Sequence, residues 1–218
     1  MAEFSRSDLN QIARKPKRGH YDKDTIYAIL DEALVCHVGF VQGGQPVVIP
    51  TIHARDHDTL IFHGAKASRL LKHIQDGHPI CVAVTLLDGI VFARSAFNHS
   101  MNYRSVVLFG RGRTLASDEE KLRASEVLTE HIARGRWKDI RKPNRQELDA
   151  TAFAGLAIES ASAKIRTGPP GDDEEDYQLP IWAGVLPVPQ QTLAPIADPR
   201  LASDISVPDY LLRYARPR

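Results

Sequence analysis

The run His63-Gly64-Ala65-Lys66-Ala67-Ser68-Arg69 gathers several groups able to bind an anion. Gly64 and Ala65 carry little or no side chain, so a ligand can come close to the backbone there. Lys66 supplies a point charge. Arg69 supplies a planar fork that can grip two phosphate oxygens, and Ser68 adds a hydroxyl donor. The flanking pattern predicts a strand before this run, LIFHG at 60–64, and a short helix within it, SRLLKHIQD at 68–76. Ser68 is the natural N-cap of that helix. The first helical turn would then offer unbonded N–H groups and the positive end of the dipole. Phosphate is the ligand such a set suits. From spacing alone, an ordinary helix cap with solvated basic residues stands as the alternative. The run is neither a GxxxxGK[ST] loop nor a GxGxxG fingerprint.

Other residues invite chemistry less directly. His53 and His57 are four apart but straddle a strand end and a turn, so the helical spacing of paired metal ligands is missing. No metal site is expected. The acidic stretch Asp172, Asp173, Glu174, Glu175 and Asp176 lacks an oxygen-ligand spacing and reads as a solvated loop, which could pair with the basic arm around Lys15, Lys17 and Arg18 of a partner copy. Ser95, Ser100 and Ser105 lack a GxSxG context. His99 lies in an Asn-His-Ser loop and suits a proton donor, a substrate contact or a plain surface imidazole. Cys36 and Cys81 sit in apolar runs and read as buried free thiols.

The elements that must position these groups are mostly strands. A helix is expected at 22–33, capped by Asp22, with Ile26, Ile29 and Leu30 on one stripe. Strands follow at 34–41, 46–55 and 60–64, and then at 79–94, 105–116 and 151–166. A bulge is expected near Asp88-Gly89. Ser117 and Glu120 form a capping-box pattern that opens a helix to about Arg134. Residues 135–150 read as charged and irregular. The fold class is mainly β with flanking helices: six antiparallel strands that close most economically into a small barrel. A filled barrel leaves any cofactor outside, in a cleft or at a subunit interface. Residues 1–20 read as an N-terminal arm, 21–190 as the barrel domain and 191–218 as a C-terminal extension with a short helical piece.

Composition narrows the function further. The 218 residues carry 28 Lys+Arg and 27 Asp+Glu, a net charge of +1. Such balance disfavours nucleic-acid binding through a global positive field. The apolar runs are too short to span a membrane, and the polar N-terminus has no secretory core, so a soluble cytoplasmic protein is expected.

Four segments carry a resemblance: the run at 63–69, PTIH at 50–53, SMNYRSV within 95–113, and GPPGDDEED with LPIWAGVLP within 164–187. Together they resemble the flavin-nucleotide-binding branch of the pyridoxamine 5′-phosphate oxidase-like proteins, a group similar to nitroimidazole-resistance reductases. The resemblance implies a split β-barrel that holds FMN at the interface of a homodimer. It implies a phosphate site at Lys66, Ser68 and Arg69. It implies that Pro50, Thr51 and Ile52 run along the isoalloxazine edge. Asn102, Tyr103, Arg104 and Ser105 match a segment that reaches the cofactor near the interface, and Trp182 matches an aromatic position beside the flavin or over its cleft. The activity implied is an oxidoreductase acting on a small molecule, with NAD(P)H as a possible hydride source; a flavin- or haem-binding module without turnover is the alternative. The final DYLLRYARPR does not match the segment that holds substrate phosphate in true pyridoxamine phosphate oxidases.

Overall fold

A computed structural model describes residues 2–215. Strands β1 (Gly19–His20), β2 (Val35–Gln42), β3 (Gln45–Ile52), β4 (Ala54–Asp56) and β5 (Thr59–Ala65) occupy the first third of the chain. They are followed by β6 (Pro79–Phe92), β7 (Ser100–Leu115), β8 (Thr151–Ala157), β9 (Ser160–Arg166) and β10 (Gly184–Pro187). The helices are α1 (Lys23–Glu32), α2 (Arg69–Gln75), α3 (Asp118–Ile132), α4 (Arg136–Asp139), α5 (Arg145–Ala150) and α6 (Asp209–Leu212).

All pairings are antiparallel, and the main path runs β3-β2-β6-β7-β8-β5-β4. The two ends of that path, β3 and β4, follow each other in sequence with only His53 between them. The sheet therefore curls into a split barrel. β7 is long enough to serve both halves: its first part pairs with β9 and its last part with β8.

The expected six strands correspond to these, with two corrections. The segments 46–55 and 151–166 are each broken, at His53 and at residues 158–159, because each must pass from one half of the sheet to the other. The short β1 and β10 were not expected. β1 draws the N-terminal arm onto β9, and the arm is further fixed by buried Phe4 and by Asn10, whose amide donates to the Ala161 carbonyl at 3.3 Å. β7 also begins five residues earlier than the pattern suggested, because β6 continues to Phe92 and holds it.

Side-chain alternation explains where the core sits. Cys36, Val38 and Phe40 of β2, Val82 and Val84 of β6, and Val106 and Leu108 of β7 all point inward. They meet Leu60, Phe62 and Leu156, and α1 closes the barrel with Ile26, Ile29 and Leu30. Asp22 caps α1 by accepting from the Thr25 amide at 2.8 Å. A second cluster under α3 joins Leu115, Ala124, Leu128 and Phe153. Residues 135–150, expected to be irregular, contain α4 and α5; α5 is opened by a capping box between Asn144 and Glu147. No described helix is long and apolar enough to cross a membrane.

Candidate functional site

The phosphate-type run lies where β5 hands over to α2. Three residues, Lys66, Ala67 and Ser68, separate the two elements. The Ser68 amide donates to the Ala65 carbonyl at 2.8 Å and closes the turn. Ser68 occupies the N-cap position, but its hydroxyl makes no cap hydrogen bond and stays available to a ligand. Lys66 and Arg69 are exposed and have no ion-pair partner among the described residues. At Gly64 a Cβ would lie 3.3 Å from Leu71 Cδ1, so a bulkier residue there would push α2 outward.

α2 has only seven residues, so tertiary packing rather than propensity must hold it. Leu70, Leu71, His73 and Ile74 are buried. Ile74 presses on β7 so closely that a Cβ at Gly112 would sit 2.8 Å from its Cγ2. The ring of His73 lies 4.5 Å from that of Phe40, and its Nε2 is 3.2 Å from the Pro79 carbonyl oxygen. The cup is thus small but firmly seated.

Pro50, Thr51 and Ile52 end β3 opposite His37, Cys36 and Val35. β3 is terminal in the sheet path, so one of its edges has no strand partner among the described residues. Such an edge offers backbone donors and acceptors to the rim of a flat heterocycle.

The Asn102–Ser105 segment is engaged inside the chain. Asn102 is buried; its Nδ2 donates to the Gly168 carbonyl at 3.1 Å, and its Oδ1 accepts from Arg166. Arg104 sits between two carboxylates. Its Nε and Nη2 reach Asp88 at 3.0 and 2.7 Å, and its other contacts reach Glu32. Those hydrogen bonds, to Glu32 first and then to Asp88, hold its guanidinium well above the ordinary arginine range. The Ser105 hydroxyl donates to the Lys164 carbonyl at 3.2 Å. Half-buried Tyr103 stands opposite Leu87 and Arg166. Trp182 is exposed, with its ring 6.0 Å from that of Phe92.

One chain does not bring all these residues together. α2 touches β7 at Gly112, eight residues beyond Arg104. At the rise of a strand that is roughly 25 Å. The cup and the Asn102–Ser105 segment lie apart in the chain.

Two features escaped the sequence reading. A cleft of about 1020 Å³ lies between Glu32, Leu87, Asp88 and Arg104 on one side and residues 187–192 on the other. Arg166 is buried without a carboxylate partner among the described residues; it donates to the Gly168 and Pro169 carbonyls at 3.1 and 3.0 Å. Burial, and then nearby Arg18, hold its guanidinium below the usual range. Its contacts fix the Gly168-Pro169 turn against Asn102, with Gly168 at φ 95°. The acidic loop leaving that turn is tied within the chain by Asp172, which pairs with Arg94 at 2.8 Å. Among the described residues no cluster of three His, Cys, Asp or Glu side chains is placed to hold a metal ion.

The family profile described as pyridoxamine 5′-phosphate oxidase matches residues 22–165, well over half of the chain. The chain belongs to the pyridoxamine 5′-phosphate oxidase family. Two solved members of similar length align along nearly all of it. The flavocytochrome Anf3 from Azotobacter vinelandii is 41% identical, with a TM-score of 0.91, over 96% of this chain and 98% of that one. The FAD and heme binding protein from Mycobacterium smegmatis is 34% identical, with a TM-score of 0.87, over 91% and 98%. A proposed 5-nitroimidazole antibiotic resistance protein from Bacteroides thetaiotaomicron shares the fold, at 22% identity and a TM-score of 0.58 over 67% and 86%. No curated protein matches. Within the pyridoxamine 5′-phosphate oxidase family the profile covers the cup, the end of β3 and the Asn102–Ser105 segment, and leaves Trp182 and the C-terminal extension outside it.

Proposed function

We propose that this chain is a flavin- and haem-binding redox protein, active as a homodimer. The observation that carries the flavin reading is the cup itself: Lys66, Ser68 and Arg69, seated by α2, with the two cations lacking an ion-pair partner among the described residues. A flavin nucleotide needs a cationic phosphate site, backbone groups along its pyrimidine rim and an apolar wall. The cup, the free edge of β3 and the exposed apolar residues of the outer sheet face fit those needs. FMN and FAD share the ring and the first phosphate, so the cup serves either. FAD is the proposed form, because a relative described as binding FAD and heme aligns with 91% of this chain. Haem enters on the same relative and on the flavocytochrome.

A second copy completes the site in this reading. The outer face of β3, β2 and β6 exposes Val48, Val35 and Leu87, an apolar surface that a partner would cover. Docking there would bring the Asn102–Ser105 segment and Trp182 of one copy toward the cup of the other. Tyr103 would be the cofactor contact of that segment, whereas Arg104 would act through Glu32 and Asp88. When bound, a flavin exchanges hydride with a small molecule and single electrons with haem.

Flavin titration of the dimer tests the cup. Lys66→Ala and Arg69→Ala each remove a charge-assisted hydrogen bond of about 1.5–3 kcal/mol. Each should weaken flavin binding about ten- to a hundredfold by isothermal titration. Unchanged affinity in both variants would move the phosphate elsewhere.

A further inference from the structure

Beyond the bulge at Leu87–Gly89, β6 and β7 continue as a hairpin, and β10 joins its free side. Gly89 permits this: a Cβ there would lie 3.0 Å from Val185 Cγ1 and 3.1 Å from the Leu186 carbonyl oxygen. The three strands form a flap. Leu186 stands opposite Ile90, and Ile90 opposite Met101. Phe92 stands opposite Gly184, over which the Trp182 ring folds.

The flap leaves an apolar surface in solvent. Phe97 is 92% exposed, Trp182 71%, Met101 53% and Leu186 52%. His99 joins it, with its ring edge-on to Phe92 at 6.0 Å. The Nδ1 of His99 lies 2.8 Å from the Ser95 carbonyl oxygen. A carbonyl only accepts, so Nδ1 carries the proton and donates. That leaves the lone pair on Nε2, on an exposed imidazole. A ring nitrogen pinned by a backbone carbonyl, with the other free, is the arrangement that orients a metal-ligating histidine. The hairpin tip is also incomplete as it stands: Arg94 Nε, Ser95 Oγ and Asn98 Nδ2 are buried there without a partner among the described residues.

Several other histidines are held inside the fold or along its sheet faces. His53 and His73 are buried, each with Nε2 against a backbone carbonyl, Leu30 and Pro79 respectively. His131 Nε2 lies 2.8 Å from the Ala33 carbonyl oxygen. His63 stacks on Phe153 beside the cup, and His37 lies on the sheet face opposite Pro50.

We infer that His99 would hold the iron of a haem on this flap through its free Nε2, with Phe92, Met101 and Trp182 as apolar neighbours of the ring. The inference rests on the haem reading above. Haem fits because it is flat and apolar and needs one fixed imidazole.

Haemin is titrated into the flavin-loaded protein, and haem content, Soret band, electron paramagnetic resonance and flavin absorbance are read together. The wild type and His37→Ala should take up haem with the same spectrum. His99→Ala should lose at least tenfold in haem affinity while keeping its flavin, and added imidazole should restore the Soret band. His99→Met should keep haem with a shifted Soret band and altered resonance, a readout that survives if the alanine variant folds poorly. Haem binding by His99→Ala or His99→Met with the wild-type spectrum would overturn the His99 assignment and leave the haem reading standing. A wild type that takes up no haem would overturn both.

Discussion

Cys36 faces the barrel interior from β2, fully shielded among apolar side chains. Burial pushes its thiol up from an ordinary value near 9 to about 12. Above about pH 9 the unfolded chain gains by ionising this thiol and the folded chain does not. The contribution of Cys36 to stability is therefore complete below about pH 9 and falls as pH rises toward about 12. Urea midpoints followed upward from about pH 8 should decline more steeply for the wild type than for Cys36→Ala; parallel declines would contradict the burial argument. At this scale the sequence was informative where chemistry is local. Cys36 and Cys81 are both free thiols as expected, but only Cys36 is buried and Cys81 is half-buried. The order Lys66, Ser68, Arg69 is visible in a few consecutive letters. The fate of Arg104 was not, because its partners Asp88 and Glu32 stand 16 and 72 residues away. Nor was that of Arg166, which meets Asn102 only once β7 and β9 have paired.

Arg104 joins three elements: the end of α1 through Glu32, the β6 bulge through Asp88, and β7 itself. Its removal would leave two part-buried carboxylates facing each other without a cation. Arg104→Ala should lower stability by about 2 kcal/mol in urea denaturation. Arg104→Lys should recover only part of it, since an ammonium cannot bridge two carboxylates in a plane. A stability equal to wild type for Arg104→Ala would show that α1 is held without it. Elements with a strong local pattern were legible: α1 from its stripe and Asp22, α3 from Ser117 and Glu120. α5 carries the same signal, Asn144 followed by Glu147, and was passed over because the surrounding residues are charged rather than periodic. β10 is only four residues long and exists because Gly89 lets it approach β6, a condition written far from it in the chain.

Across the whole molecule, the cup lies under the far end of β7 from the Asn102–Ser105 segment, with about 25 Å of strand between Gly112, which α2 touches, and Arg104. One group is a cationic cup with free side chains. The other is a segment tied down by its own neighbours, with Tyr103 and Trp182 toward the outside. An apolar sheet face lies exposed, with Val35, Val48 and Leu87 on it. In the proposed dimer a two-fold partner would meet all three conditions at once, by covering the face and bringing the two groups together. The barrel was legible because six segments alternate clearly. The division of the site was not, because distance along a strand is invisible until its register is known. Size-exclusion chromatography of freshly purified protein, with light scattering and a full absorbance spectrum on the same peak, tests the proposed flavin-binding dimer most directly. The expected result is flavin absorbance on a species with the mass of two chains, at one flavin per chain. A colourless single chain that stays so after incubation with FAD and FMN would contradict it.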